Sequence, residues 1–199
     1  MPNNDYHFVT TWNIHGSIEE IVPIVADARD LTRWWPSVYL DVQELDPGDE
    51  RGLGKVVSLY TKGWLPYTLH WQFRVSEIGP QTLRIEATGD FVGRGIWSFA
   101  QEGEWTRITY DWKIRADKPL LRWFSFVMKP IFAANHHWAM VKGEESLKLE
   151  LARRRAQTPA ELARIAPPPP PTTTSSLPLL LGLAGMLAAG YALVRATRR

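Results

Sequence analysis

The chain contains no cysteine, which removes disulfides, thiolate nucleophiles and sulfur-ligated metals from consideration. It also contains no HExxH, no GxSxG, no phosphate-binding loop and no dinucleotide fingerprint. The motif-bearing proteases, esterases, NTPases and dehydrogenases are therefore not signalled. The opening MPNNDYHFVTTW has neither a basic n-region nor an apolar h-region, so no secretory signal is expected. A basic footprint is missing as well. Residues 1–158 carry 19 Lys/Arg and 20 Asp/Glu, and the basic excess lies beyond them, at Arg164, Arg195, Arg198 and Arg199 against Glu161. A near-neutral domain lacks the charge that nucleic-acid binding needs. Nucleic acid is not expected as a partner.

Long hydrophobic runs are absent until the end of the chain. After Pro167–Pro171 and the polar Thr172–Ser176, Leu177–Val194 runs for eighteen residues without a charge. At ~1.5 Å per residue this makes roughly 27 Å of helix, close to the thickness of a bilayer's hydrocarbon core. A buried core helix or an oligomerising hairpin is the alternative, but a solvated linker isolates the segment, and helices this uniformly apolar are usually spans. The expected organisation is a domain over 1–158, a Pro/Thr/Ser-rich linker over 159–176, a single transmembrane helix over 177–194 and a basic end over 195–199. In extended polyproline geometry, residues 167–176 would form a spacer of roughly 30 Å on which the domain could rock. Gly185 and Ala189 form a small-xxx-small pair, a weak dimerisation signal. The terminal arginines favour a cytoplasmic C-terminus, whereas the missing signal favours a cytoplasmic domain. The second argument is taken as the stronger.

What the sequence has in excess is tryptophan, ten in all. One dry core of about 155 residues does not easily pack ten indoles, each wanting a partner for its N–H. Some are expected to line a cavity or an interface. Residues 5–15 alternate and read as a strand. Ser17, followed by Glu19 and Glu20 and then an apolar pattern, marks a short helix start containing Pro23. Asp27–Trp35 suits a second short helix, stopped by Pro36. From Val38, turn signals separate strands at about 38–45, 54–62, 65–78, 81–88, 91–101 and 104–116, an antiparallel meander. Tyr67, Leu69, Trp71, Phe73 and Val75 share one face, and Thr68, His70, Gln72, Arg74 and Ser76 the other. Such a sheet is covered on one side only. The cover is expected from 119–155, helical in texture with an interruption at Lys129-Pro130, where Phe132, His136, Ala139 or Met140, Gly143, Leu147 and Leu151 recur at helical spacing.

This order of elements resembles the START-like, or SRPBCC, superfamily over residues 5–155. The local matches are SIEEIVPIVADARDLTRWWP, GWLPYTLHWQFRV, GEWTRITYDWKI and NHHWAMVKGEESLKLEL. The resemblance implies an α+β helix-grip fold, with a curved antiparallel sheet of about seven strands around a long C-terminal helix. It is weak for function, because the superfamily spans carriers, cyclases, hydrolases and receptors.

The candidate cavity lining is Tyr67, Leu69, Trp71, Phe73, Leu83, Ile85, Trp97, Phe99, Tyr110 and Trp112, with Phe132, His136 and Met140 from the long helix. Among polar groups, His70 reads as solvent-exposed. His136 falls on the apolar stripe, either facing the cavity or as a satisfied core histidine. His136 and His137 are roughly 100° apart on a helix and cannot share a metal. Arg94, flanked by Gly93 and Gly95, reads as a bend or bulge, and Asn135 is a further cavity candidate. No pair of titratable groups is placed together for acid–base work, so no catalytic set, metal or cofactor is assigned. The leading expectation is a membrane-anchored protein that binds or carries a lipid, quinone or polyketide-like molecule. A cyclase/dehydratase acting on a polyketide-like substrate oriented by His136 or another cavity residue is the alternative, and a regulatory, partner-binding membrane-tethered domain the third reading.

Overall fold

The computed structural model describes residues 5–116 and 119–173, with side chains described outside 116–128. The expected span at Leu177–Val194, its Gly185/Ala189 pair and the basic end lie outside the described residues. Among the described residues, no helix is long and apolar enough to cross a membrane.

Seven strands form one antiparallel sheet: β1 (Asp5–His15), β2 (Tyr39–Asp46), β3 (Val56–Lys62), β4 (Thr68–Ile78), β5 (Thr82–Gly89), β6 (Phe91–Glu102) and β7 (Trp105–Ala116). Their order is β1-β7-β6-β5-β4-β3-β2, so a meander of six is closed by β1 lying against the last strand. Strand parity sets the inner face. Trp71 pairs with Gly89, Ile85 with Gly95, Trp97 with Tyr110 and Phe8 with Trp112, which places apolar and small residues in register across neighbouring strands. The edge strand β2 is broken by register shifts at Tyr39/Asp41 and Glu44/Asp46.

Helix α1 (Ile18–Val25) starts on a capping box: Ser17 Oγ accepts from the Glu20 N–H, and the Ser17 N–H donates to Glu20 Oε2 at 2.9 Å. This satisfies two of the backbone donors that a helix start leaves open. The expected helix over Asp27–Trp35 is instead a 3-10 turn (Ala28–Asp30) followed by α2 (Leu31–Trp34). Asp27 caps the turn through Arg29 N, which starts the tighter winding.

The long helix α3 (Pro119–Arg155) runs through Pro130 without the expected interruption. Proline removes one backbone N–H, yet the chain stays helical on both sides of it. Met140, Leu147 and Leu151 are buried along one stripe, and Gly143 sits where any Cβ would meet the Trp35 ring at 2.3 Å. Glycine in mid-helix costs about 1 kcal/mol against alanine, and here it permits α3 to rest directly on an indole. Trp35 in turn lies 5.6 Å from Trp12 and 5.4 Å from Trp34, ring centre to ring centre. Part of the tryptophan excess is therefore ordinary core.

The C-terminal turns of α3 are held by charge. Glu150 is only 1 % exposed and accepts from Arg33 Nη1 and Nη2 at 2.8 Å each and from Arg154 Nε at 2.9 Å. Burial pushes its carboxyl up, but the hydrogen bonds from Arg33 and Arg154 outweigh this and leave it below its ordinary value. At the last turn, Arg155 donates to both oxygens of Glu20 at 2.8 and 2.7 Å. That contact, with the Ser17 N–H, holds Glu20 down at about 2.

The two ends of this grip differ. The far end carries His15, Trp105 and the C-terminus of α3. The near end carries the start of β1, the end of β7 and the loop 63–67 between β3 and β4.

Candidate ligand-binding site

Between α3 and the inner face of the sheet, toward the near end, lies a cavity of about 130 Å³. Its floor is a row of rings. Trp97 and Tyr110 stack at 4.0 Å and 17°, Tyr110 and Trp112 at 5.5 Å and 21°, and Trp71 lies 5.7 Å from Trp112. Gly95 makes the row possible, because a Cβ there would meet Tyr110 Oη at 2.6 Å and Trp112 Cε3 at 2.9 Å. This corrects the reading of Arg94 and its flanking glycines as a bend. β6 pairs without register shifts on both sides, and Arg94 lies opposite Glu86 and Lys113, outside the cavity.

Of the expected lining, Tyr67, Leu69, Trp71, Trp97, Tyr110, Trp112, Phe132, His136 and Met140 all border this cavity. Phe73, Leu83 and Ile85 do not. They line a second space of about 100 Å³ toward the far end, which shares Trp71, Trp97 and Tyr110 as a common wall. Phe99 borders neither; it is buried opposite Ile108. The reason for both corrections is the same: parity puts a side chain on the inner face, whereas its place along the strand decides which space it reaches. Several lining residues were missed, notably Tyr6, Phe8, Trp35, Tyr39 and Phe91. Tyr6 and Phe8 were legible, since they continue the inward parity of Trp12 and Ile14 on β1.

The polar groups are few. The Trp71 indole N–H donates to Thr61 Oγ1 at 3.1 Å. Asn135 Oδ1 accepts from the Leu65 N–H at 3.1 Å, so its amide pins the loop 63–67 to α3. A Cβ on Gly63 would fall 2.2 Å from that same oxygen, so the close approach requires glycine. Three lining groups, Tyr6 Oη, Trp35 Nε1 and His136 Nε2, are buried with no hydrogen-bond partner among the described residues. A buried polar group left unpaired costs about 1–3 kcal/mol. They come from β1, from the segment after α2 and from α3, in a wall that also carries Thr61, Lys62 and Asn135.

Their protonation states are set by burial. Desolvation raises the phenols of Tyr6, Tyr39, Tyr67 and Tyr110, so all four stay protonated near neutral pH. His136, stacked on Phe8 at 4.2 Å, is lowered to about 4 by burial first and by neighbouring His137 second. It is a neutral imidazole at pH 7. His70, by contrast, is exposed and stacks on Tyr60 at 4.3 Å. No group of three or more metal-ligating side chains occurs among the described residues.

A curved sheet wrapped over one long helix, with an aromatic cavity between them, defines a helix-grip domain. The chain belongs to the polyketide cyclase/dehydrase and lipid transport family, whose model matches residues 6–151. No curated protein matches the chain. Among solved structures, it is similar to TTHA0849 from Thermus thermophilus, with 14% identity over 76% of this chain and 100% of that one, at a TM-score of 0.62. It is also similar to the Zhui aromatase/cyclase from Streptomyces sp. R1128, with 17% identity over 77% and 97% of the two chains and a TM-score of 0.58. Norcoclaurine synthase from Thalictrum flavum follows at 11% identity over 76% and 97%, with a TM-score of 0.53. At such identities the likeness is one of fold.

Proposed function

We propose that this domain binds and carries a compact, flat hydrophobic molecule with at least one hydrogen-bonding oxygen. Residues 177–194 would tether it to a membrane, with the domain on the cytoplasmic side. The observation that carries the reading is the cavity itself: a floor of parallel rings, apolar walls and three unpaired polar atoms. Its 130 Å³ corresponds to about four water molecules at liquid density, close to the ~150 Å³ of a cavity that holds one benzene. That volume suits one ring of a quinone or aromatic polyketide better than a two-chain lipid. The stacked row presents ring edges, which suit the face of a flat partner in an edge-to-face contact. Tyr6 and Trp35 offer donors, and His136 Nε2 a donor or acceptor, to a carbonyl or hydroxyl.

A cyclase/dehydratase reading draws on one observation, His136 facing the cavity without a partner. Proton transfer is most effective when the catalytic group titrates near the working pH. An imidazole at about 4 is a weak base at neutral pH, and the Asn135 carbonyl oxygen is already taken by the Leu65 N–H. These facts favour orientation of a bound oxygen over proton abstraction. The carrier reading is tested by native mass spectrometry of the full chain extracted from membranes in mild detergent. The expected result is a co-purifying apolar molecule of a few hundred daltons or less. A chain that emerges empty and takes up no added quinone or aromatic polyketide would sink the proposal. Protease protection in intact cells tests the sidedness.

A further inference from the structure

We infer that the cavity opens at its near end, beside Lys62 and Gly63, and that this mouth faces a lipid bilayer, because the polyproline linker returns there before the chain enters the membrane. The inference rests on the tether reading above. After α3 the chain forms a single turn, α4 (Pro159–Leu162), capped by Thr158 and Glu161 at the far end of the grip. Arg153 of α3 donates to the Ala166 carbonyl. Six residues later the chain is at the opposite end. Lys62 Nζ donates to the Thr172 carbonyl at 2.9 Å, and Thr172 Oγ1 donates to the Gly63 carbonyl at 2.9 Å. Lys62, Gly63 and Asn135 all border the cavity.

The lengths agree. Arg153 and Asn135 are eighteen residues apart on α3, about 27 Å of helix, and six residues of polyproline cover about 19 Å of that path. The proline run is thus laid back along the domain. This corrects the expectation of a free spacer of roughly 30 Å. Only Thr173–Ser176 separates the docked Thr172 from Leu177, and the five steps between them reach at most about 18 Å. The headgroup layer on each side of a bilayer is itself about 5–8 Å deep, so the mouth is confined to within about a nanometre of the lipid surface. The loop there carries half-exposed Trp64 and Tyr67 beside Lys62, a composition suited to the interface. A ligand dissolved in the bilayer would enter the cavity without crossing bulk water.

The absence of cysteine makes the test direct. Trp64→Cys at the mouth and Leu53→Cys, an exposed site at the other end of β3, are each labelled with an environment-sensitive fluorophore. The full chain is reconstituted in phosphatidylcholine vesicles carrying nitroxide-labelled headgroups. Quenching at least twofold stronger at position 64 than at 53 is expected. Insertion of twenty Gly/Ser residues after Thr173 should abolish that difference. A chain that does not float with the vesicles overturns the tether reading and this inference together. A chain that floats but is quenched equally at both sites overturns the inference alone. A difference that survives the insertion overturns the role assigned to the docked linker.

Discussion

Acidification should weaken this fold through one imidazole. His136 titrates at about 4 in the folded domain against 6.5 for an ordinary histidine. The unfolded chain therefore binds the proton more readily, and stability falls as pH drops through the interval between those values. Above 6.5 the contribution is complete; below 4 no more is lost. Working the two titrations through gives a loss of about 2 kcal/mol by pH 5 and about 3 kcal/mol by pH 4. At about 2 kcal/mol per molar urea, the pH 5 loss moves the midpoint by about 1 M. The carboxyls of Glu20, Asp30 and Glu150 all lie below their ordinary values, so pH 5 separates their titration from that of His136. The assay is urea unfolding of the full chain in detergent micelles at pH 7 and pH 5, read by tryptophan fluorescence. His136→Phe supplies the control, because a phenyl ring keeps the stack on Phe8 and cannot titrate. The wild type should lose about 1 M more midpoint than the variant. Equal losses in both proteins would refute the assignment of a desolvated, neutral His136 to the cavity wall.

Three further outcomes are expected. Gly95→Ala should displace the Tyr110 and Trp112 rings, costing about 1–3 kcal/mol by denaturant unfolding and weakening binding of a flat apolar probe. Arg33→Ala strands part of a buried carboxylate and should cost about 2–4 kcal/mol. Arg29→Ala, which breaks only the exposed pair with Asp27, should cost under about 1 kcal/mol in the same measurement. Gly63→Ala should drive Asn135 off the Leu65 N–H, and amide hydrogen exchange should show Leu65 losing protection while Leu69, within β4, keeps its own.

Much of the fold was legible because its signals are local. Alternation over 67–75 set the inner face of β4, and the Ser17 cap with Glu20 set the start of α1. Inward residues on four strands follow from that alternation without any knowledge of contacts. Parity carries no information on height along a strand, which is why Phe73, Leu83, Ile85 and Phe99 group in sequence with residues nearer the mouth. The Arg33–Glu150 pair and the Thr172–Gly63 contact join residues more than 100 positions apart, beyond the reach of any periodicity. The polyproline run eludes sequence reasoning for a different reason. Composition reports stiffness, but the path of a stiff segment is decided by what it lies against. Gly95 looks like a break in its strand and Gly143 like one more position on a helical stripe, whereas each makes room for an aromatic ring.

The irregular edge strand has a consequence for crowding. An open strand edge offers unpaired amides and carbonyls to any neighbouring chain, and native proteins blunt such edges with bulges and charge. β2 has both: register shifts at each end and Asp41, Glu44 and Asp46 along its length. Copies held side by side in one plane would meet at far higher local concentration than copies in free solution. For such a layer, the bulged acidic edge acts as a guard against sheet-to-sheet aggregation.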